Sequence, residues 1–175
     1  PQQPGPPPIR IPEQLMAIAL PLIERRTVEA TIVAPIVQAF AREFGEERTR
    51  AILENVIGEL AREAGQDFAK QLQGNGLPEL RAVIDRWCEN QSLEIEWIRE
   101  DTEVLEFHVT RCQYAELYQR LGITELGAIL SCGRDGAMIA GFNPAIEFER
   151  SQTLLAGASC CNFRYTLRPD DAPPT

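Results

Sequence analysis

Lysine, histidine and long apolar runs are almost absent from this chain of 175 residues, and each absence excludes a kind of chemistry. Lys70 is the only lysine, so a Schiff-base mechanism would have to use that residue. His108 is the only histidine, so a catalytic triad or a multi-histidine metal site must include it. No apolar run reaches the roughly 18 residues that a membrane-spanning helix needs. The longest candidate, residues 15–22, is short and contains Pro21.

Basic charge is scarce as well. The chain has 17 Lys and Arg against 26 Asp and Glu, which gives a formal net charge of −9. Because neutralising phosphates needs a basic surface, this balance predicts no nucleic-acid partner. The lack of a long apolar run predicts no membrane partner either. A small-molecule substrate is the partner we expect, and self-association into a homo-oligomer is left open.

The cysteines are too few, and odd in number, for a disulfide scaffold. We interpret them as free thiols of a reducing cytoplasm. The first residues lack the basic segment and apolar core of a secretory signal, which agrees with the cytoplasmic expectation. The five cysteines are Cys88, Cys112, Cys132, Cys160 and Cys161.

Composition divides the chain into one domain with two tails. Residues 1–10 are rich in Pro and Gln and predict a disordered arm, and residues 169–175 predict a flexible tail. Between them we expect a single domain, residues 11–168. Its residues 11–90 form a helical half, and residues 92–168 hold the unusual residues of the chain.

The first half has the periodicity of helices. Apolar residues recur at helical spacing over residues 11–73, with Pro12 suited to a first turn and Gly45 able to end a helix that contains Pro35. Residues 74–76 (Gly-Asn-Gly) predict a break, and residues 77–87 a further helix.

The second half changes to the period of strands. Alternation over residues 93–97 and 105–109 predicts a β-hairpin, and two further strands begin at Ile146 and Cys161. Between the two pairs of strands, residues 113–121 predict a short helix and residues 124–142 a longer one capped by Thr124. The expected fold class is therefore α+β: a helical N-terminal half packed with a small antiparallel sheet of about four strands and two further helices.

Cys132 and Asp135 stand three residues apart in the predicted longer helix, so they share one of its faces. A thiol beside a carboxylate suits nucleophilic or acid–base chemistry, although the anion would raise the thiol pKa. The spacing alone favours the plainer interpretation, in which the thiol is a small buried hydrophobe and the carboxylate is solvated.

Arg150 has the strand parity of Ile146 and Phe148, which turns it inward. A buried arginine needs an anionic partner, and either a substrate carboxylate or Asp135 could serve. A partly exposed arginine at a strand edge is the alternative.

The remaining candidates are His108 and the thiols near the strands. His108 and Cys112 are four apart at a strand end, and no second ligand pair accompanies them, so no structural zinc site is expected. Cys161, unlike Cys160, shares the strand face of Phe163. His108 is the only histidine of the chain, and histidine is the usual side-chain base near neutral pH.

These pieces occur in an order and spacing that resembles a known family. The segments are residues 107–117, 121–122, 125–126, 132–135, 146–150, 153–154 and 157–163. Together, over about residues 92–168, they resemble the L-2-amino-thiazoline-4-carboxylic acid hydrolase family.

The resemblance implies a small cytoplasmic hydrolase that opens a five-membered cyclic amidine or a related ring. In the name-giving reaction, water adds at the ring carbon between nitrogen and sulfur, the C–S bond breaks, and an N-carbamoyl cysteine forms. No metal and no cofactor are implied. By matching position, the catalytic groups are then Cys132, Asp135 and Cys161, and the substrate-binding groups are Arg150, Cys112 and Gly157. We add His108 to the substrate-binding groups because of its residue type.

The first hypothesis is therefore a ring-opening hydrolase. A thiolate of Cys132 or Cys161 attacks the ring carbon or orients it for water. Asp135 carries the proton, and Arg150 binds the substrate carboxylate.

Two alternatives stay open. The chain has Ala158 and Asn162 where the resemblance leads us to expect aspartates. That difference suits a non-catalytic or tailoring small-molecule-binding protein of the same fold. The vicinal pair Cys160–Cys161 suits a thiol redox sensor, without support from a C-x-x-C pattern.

Overall fold

The structure, a computed structural model, describes residues 20–168. The predicted arm, the first part of the first predicted helix with Pro12, and the predicted tail lie outside the described residues. The helices are α1 (Leu22–Phe44), α2 (Glu46–Leu72), α3 (Leu77–Trp87), α4 (Gln113–Arg120), α5 (Thr124–Gly127) and α6 (Arg134–Phe142). The strands are β1 (Leu93–Glu100), β2 (Val104–Cys112), β3 (Ile146–Glu149) and β4 (Cys161–Leu167).

The helical half is built from α1, α2 and α3. Gly45, with φ +88°, separates α1 from α2, as the sequence predicts. Pro35 lies inside α1 without ending it. The Gly-Asn-Gly break precedes α3, where the carboxylate of Glu79 accepts a hydrogen bond from the backbone N–H of Gly76 (2.9 Å) and so satisfies one free donor of the helix start.

The four strands form one antiparallel sheet in the order β1-β2-β4-β3. The β1–β2 turn is closed by Asp101, which accepts hydrogen bonds from the backbone N–H groups of Glu103 and Val104 (2.9 and 2.8 Å). One face of the sheet is apolar. On it, the rings of Phe107 and Phe163 stack with centroids 5.0 Å apart. The α+β fold and the four-stranded sheet are thus confirmed.

The core lies between this aromatic face and helices α2, α3 and α6. Helices α2 and α6 cross at two glycines. A Cβ on Gly65 of α2 would meet the carbonyl oxygen of Met138 in α6, and a Cβ on Gly141 of α6 would meet the carbonyl oxygen of Arg62 in α2. The two backbones touch directly at this crossing, so only glycine fits there.

The prediction of one regular helix over residues 124–142 is wrong. A π-helical turn, Ala128–Cys132, separates α5 from α6, and Thr124 does not cap the helix because the N-cap residue is Ile123. Gly127, just before the π turn, packs against the ring of Tyr118 with no space for a Cβ. An inserted π turn changes the direction of the side chains that follow it, and such turns often occur at functional sites. Here it ends at Cys132.

Candidate active site

A cavity of about 520 Å³ lies between the helical half and the apolar face of the sheet. Its volume falls in the range of about 300–1,000 Å³ that is usual for small-molecule sites. The sequence indicated seven site residues, and the structure brings five of them to the wall of this cavity. They are Cys112, Cys132, Asp135, Arg150 and Cys161.

A β-bulge brings Cys112 to the cavity. Simple alternation along β2 would place Cys112 on the face of His108. The pairing of β1 with β2 matches Ile95 with Val109 and Glu94 with Arg111, and it skips Thr110. Because of this extra residue, the alternation of side chains between the two faces of the sheet is reversed after Val109, and Cys112 points toward the cavity.

Asp135 and Arg150 form a partly buried ion pair at the cavity wall, with side chains 19% and 13% exposed. The guanidinium of Arg150 also donates a hydrogen bond to the backbone carbonyl of Cys132 (2.9 Å), and it lies 5.2 Å from the ring centroid of Phe163. Of the two partners considered from the sequence, Asp135 is the one present. The arginine is therefore held on three sides.

Burial raises the pKa of Asp135 to about 6, because it disfavours the charged carboxylate. The positive charge of Arg150 and its hydrogen bond act in the opposite direction. A carboxyl group with a pKa near 6 is still ionised at neutral pH and is a much better base than an ordinary aspartate. Asp135 therefore has the acid–base property that hydrolysis needs.

The cavity thiols are protonated at neutral pH. Burial, with the Asp135 charge as the next cause, raises the pKa of Cys132 to about 12. Burial likewise raises the pKa of Cys112 to about 11, and it raises the pKa of Cys161. A resting thiolate is the usual state of a nucleophilic cysteine, and these environments oppose it.

Two of the thiols also accept weak backbone hydrogen bonds. Cys112 accepts from the N–H of Ala115 (3.4 Å) at the start of α4, and Cys161 accepts from the N–H of Leu154 (3.2 Å). Cys160 lies just before β4 and outside the cavity wall, where Gln152 donates to its sulfur (3.2 Å).

His108 and Gly157 do not reach the cavity. His108 lies on the opposite face of the sheet, paired with Asn162 and Glu96 of the neighbouring strands. It lines a separate depression of about 380 Å³. Gly157 has φ +92° and closes the short turn Leu154–Ala156, away from the cavity wall.

The two departures from the family pattern also lie outside the cavity wall. Asn162 is on the outer face, where its side-chain oxygen accepts hydrogen bonds from the backbone N–H groups of Ser151 and Gln152 (3.1 and 3.0 Å). Ala158 donates its backbone N–H to the carbonyl of Thr153 (3.1 Å). Neither substitution removes a carboxylate from the cavity of this chain.

Arg134 is a cavity residue that the sequence analysis missed. Among the described residues, no carboxylate lies within ion-pair distance of its guanidinium. Burial lowers its pKa and the neighbouring charge of Arg26 adds to this effect, while the charges of Glu29 and Asp135 oppose it. A partly desolvated cation without an ion-pair partner in residues 20–168 has the chemistry to bind an anion. Its position directly before Asp135, inside the segment Cys-Gly-Arg-Asp, is the sequence signal that could have identified it as a site residue.

Within residues 20–168, no three His, Cys, Asp or Glu side chains are grouped so that they could hold a metal ion. None of the helices described is long and apolar enough to cross a membrane.

The fold is similar to two solved ligand-bound proteins. One is the phenol-responsive sensory domain of the transcription activator PoxR with phenol, at a TM-score of 0.50 and 9% identity over 78% of this chain and 73% of that chain. The other is trafficking protein particle complex subunit 3 from Naegleria fowleri covalently bound to palmitic acid, at 0.50 and 10% over 82% of this chain and 95% of that chain. At these identities the likeness shows the fold alone.

Comparison by sequence gives the family. No curated protein matches the chain. The family model described as L-2-amino-thiazoline-4-carboxylic acid hydrolase matches residues 25–165, which includes both the helical half and the sheet. The chain belongs to the L-2-amino-thiazoline-4-carboxylic acid hydrolase family.

Proposed function

We propose that this protein hydrolyses a small cyclic amidine that bears a carboxylate, such as L-2-amino-thiazoline-4-carboxylate, and that Asp135 is the general base. The observation that carries the proposal is the Asp135–Arg150 pair at the cavity wall. Burial brings the pKa of Asp135 to about 6, and the arginine keeps its carboxylate in place. The family to which the chain belongs supports the class of reaction.

The electrophile is the ring carbon that is bonded to both nitrogen and sulfur. Asp135 removes a proton from water while the water oxygen bonds to this carbon, and the C=N electron pair moves to the protonated ring nitrogen. The C–S bond then breaks and sulfur keeps the electron pair. Asp135 gives its proton to sulfur and takes the hydroxyl proton as the carbamoyl carbonyl forms, and it later releases that proton to solvent. The product is an N-carbamoyl cysteine.

The thiols take a different part from the one first expected. Attack by Cys132 would need its proton to be removed first, and a pKa of about 12 makes that costly. Asp135 can remove a proton from either the thiol or water. We assign it to water, and we assign the neutral thiols of Cys112, Cys132 and Cys161 to the polarizable wall against which the ring sulfur packs.

Arg134 is our choice for the residue that binds the substrate carboxylate. Arg150, to which the sequence analysis gave this role, already has Asp135 as its partner. Arg134 lines the same cavity two residues from Cys132, and no described carboxylate lies within ion-pair distance of it. A planar guanidinium can hold a carboxylate by two parallel hydrogen bonds.

Replacing Arg134 by Ala is expected to raise the KM for L-2-amino-thiazoline-4-carboxylate by roughly 10- to 100-fold, the loss of one or two charge-assisted hydrogen bonds. Steady-state kinetics should show a much smaller change in kcat. Arg134→Lys keeps the charge without the fork and should restore part of the loss. Arg120→Ala, on the exposed last turn of α4, is the matched control.

The parent and Arg134→Ala should also be tested with 2-aminothiazoline, which lacks the carboxylate. The parent should bind this compound poorly, and the KM for it should not change in Arg134→Ala. An unchanged KM of Arg134→Ala for the carboxylated substrate would remove Arg134 from the site.

The proposed function itself is tested by incubating the purified chain with L-2-amino-thiazoline-4-carboxylate in water enriched in oxygen-18. Mass spectrometry should show a product that is heavier than the substrate by one labelled water, with the label in the carbamoyl group.

The second candidate, a small-molecule-binding protein without turnover, is favoured by the neutral thiols and by the two ligand-bound structures of the same fold. It predicts saturable binding and an unchanged compound.

A further inference from the structure

Large apolar side chains remain exposed along the helical hairpin of α1 and α2, away from the cavity. On each helix they recur every four residues and so form a ridge. All of them are 44–57% exposed in the chain as described. We call them the hairpin ridges: Val28, Ile32, Ile36, Phe40 and Phe44 on α1, with Ile52, Val56 and Leu60 on α2.

The hairpin ridges are too large for the ordinary surface of a monomer. Half of a large apolar residue is roughly 90 Å², so the eight residues expose on the order of 700 Å². The largest apolar patch on a typical monomer is about 300–600 Å². A stable interface takes about 800 Å² from each partner. The ridges are therefore close to one half of a standard interface.

We propose that a second copy of this chain covers the hairpin ridges, so that the protein is a two-fold symmetric dimer with its two α1–α2 hairpins packed together. The α1 ridge is self-complementary about Ile36. When two α1 helices run antiparallel with Ile36 on the axis, Phe40 of one copy lies opposite Ile32 of the other. Val28 and Phe44 lie roughly 80° around the helix on either side of Ile36, at the flanks of this contact. The larger Phe40 thus meets the smaller Ile32, which lets the ridges interdigitate.

The charges of the hairpin favour a copy of the chain over a lipid surface. Residues 22–72 contain seven basic and nine acidic side chains, a net charge of −2. A helix that lies on a membrane surface usually has Lys and Arg along its polar face. A nearly neutral mixture of both signs suits contact between identical surfaces, although the whole chain has a net charge of −9.

The dimer would also steady the cavity. The N-terminal turns of α1 bring Leu22, Arg26 and Glu29 to the cavity wall, and the apolar ridge continues along the same helix to Phe44. Packing the ridge against a second copy fixes α1 from the side that the rest of its own chain leaves uncovered.

The test is the molar mass of the full chain in solution, measured by light scattering during size-exclusion chromatography at micromolar concentration. The parent should have twice the 19.6 kDa of one chain. Ile36→Glu places two like charges at the symmetry axis and should give monomers. Glutamate is a good helix former, so α1 should remain helical by circular dichroism. Ile98→Glu, an equally exposed isoleucine on β1, is the control and should remain dimeric.

A monomeric parent, or an Ile36→Glu variant as dimeric as Ile98→Glu, would overturn the proposal. The ridges would then be covered by something else, such as residues 1–19.

Ile36→Cys gives a second readout. A residue on a two-fold axis meets its own copy, so mild oxidation should link the two chains through position 36 and not through position 98 in Ile98→Cys. Equal cross-linking of both variants would contradict the two-fold axis.

Discussion

Replacing Asp135 by Asn is expected to lower the kcat for ring opening by roughly 10²- to 10⁴-fold, the usual contribution of a positioned general base. The amide has almost the size of the carboxylate and can still accept a hydrogen bond from Arg150, so the cavity should keep its shape. It cannot take a proton from water. Because the substrate carboxylate is assigned to Arg134, the KM should change much less than kcat.

Steady-state kinetics at pH 7 is the measurement, with thermal unfolding to verify that the variant is folded. Asp85→Asn is the matched control, since Asp85 is an exposed aspartate of α3 paired with Arg81 and outside the cavity wall. Full activity of Asp135→Asn would refute its assignment as the base.

Cys132→Ser separates the two routes that Asp135 could serve. If water is the nucleophile, this variant keeps most of the parent activity. If Cys132 forms a covalent intermediate, turnover is lost although the Asp135–Arg150 pair is intact.

Replacing Gly65 by Ala is expected to cost about 3 kcal/mol of the free energy of unfolding or more. The new Cβ would occupy the place of the Met138 carbonyl and the Phe142 backbone nitrogen, so helices α2 and α6 would have to separate. Total stabilities of domains are about 5–15 kcal/mol, so this is a large fraction. Urea titration followed by circular dichroism measures it.

Gly58→Ala is the control on the same helix. No atom lies within 4 Å of a Cβ built on Gly58, and alanine is the better helix former. It should increase the free energy of unfolding by about 0.5–1 kcal/mol. Equal stabilities of the two alanine variants would contradict the close crossing of α2 and α6.

The strands and most helices were predictable because their periods are long and uninterrupted. Alternation over residues 93–97 and 105–109 located β1 and β2, and the Gly-Asn-Gly break located the start of α3. The π turn was not predictable. Over the five residues Ala128–Cys132 the π and α periods differ too little to leave a trace in an apolar segment.

Part of the site could be predicted, and the reasons for the rest differ from residue to residue. The spacing of Cys132 and Asp135 indicated a shared face, and both line the cavity. Strand parity already placed His108 on the face opposite the apolar one. It was chosen as a site residue only because it is a histidine. Cys112 needed the bulge at Thr110, and a bulge leaves no signal in one sequence.

Arg134 was missed for another reason. A sequence shows which residues are charged, but it does not show which of them is left without a partner by the fold. Arg134 and Arg150 have the same chemistry, and Asp135 is paired with Arg150.

The most direct test of the central claim is the pH dependence of kcat/KM for L-2-amino-thiazoline-4-carboxylate between pH 4 and 10. The base must be ionised to act, so activity should be lost as pH falls through the pKa of Asp135, about 6, with a tenfold decrease for each further pH unit. Above that pKa the basic form is already complete, so no further increase tied to thiol ionisation is expected. A rate that is flat through pH 6 and rises tenfold per unit towards pH 10, as a thiolate of Cys132 would require, would contradict the account.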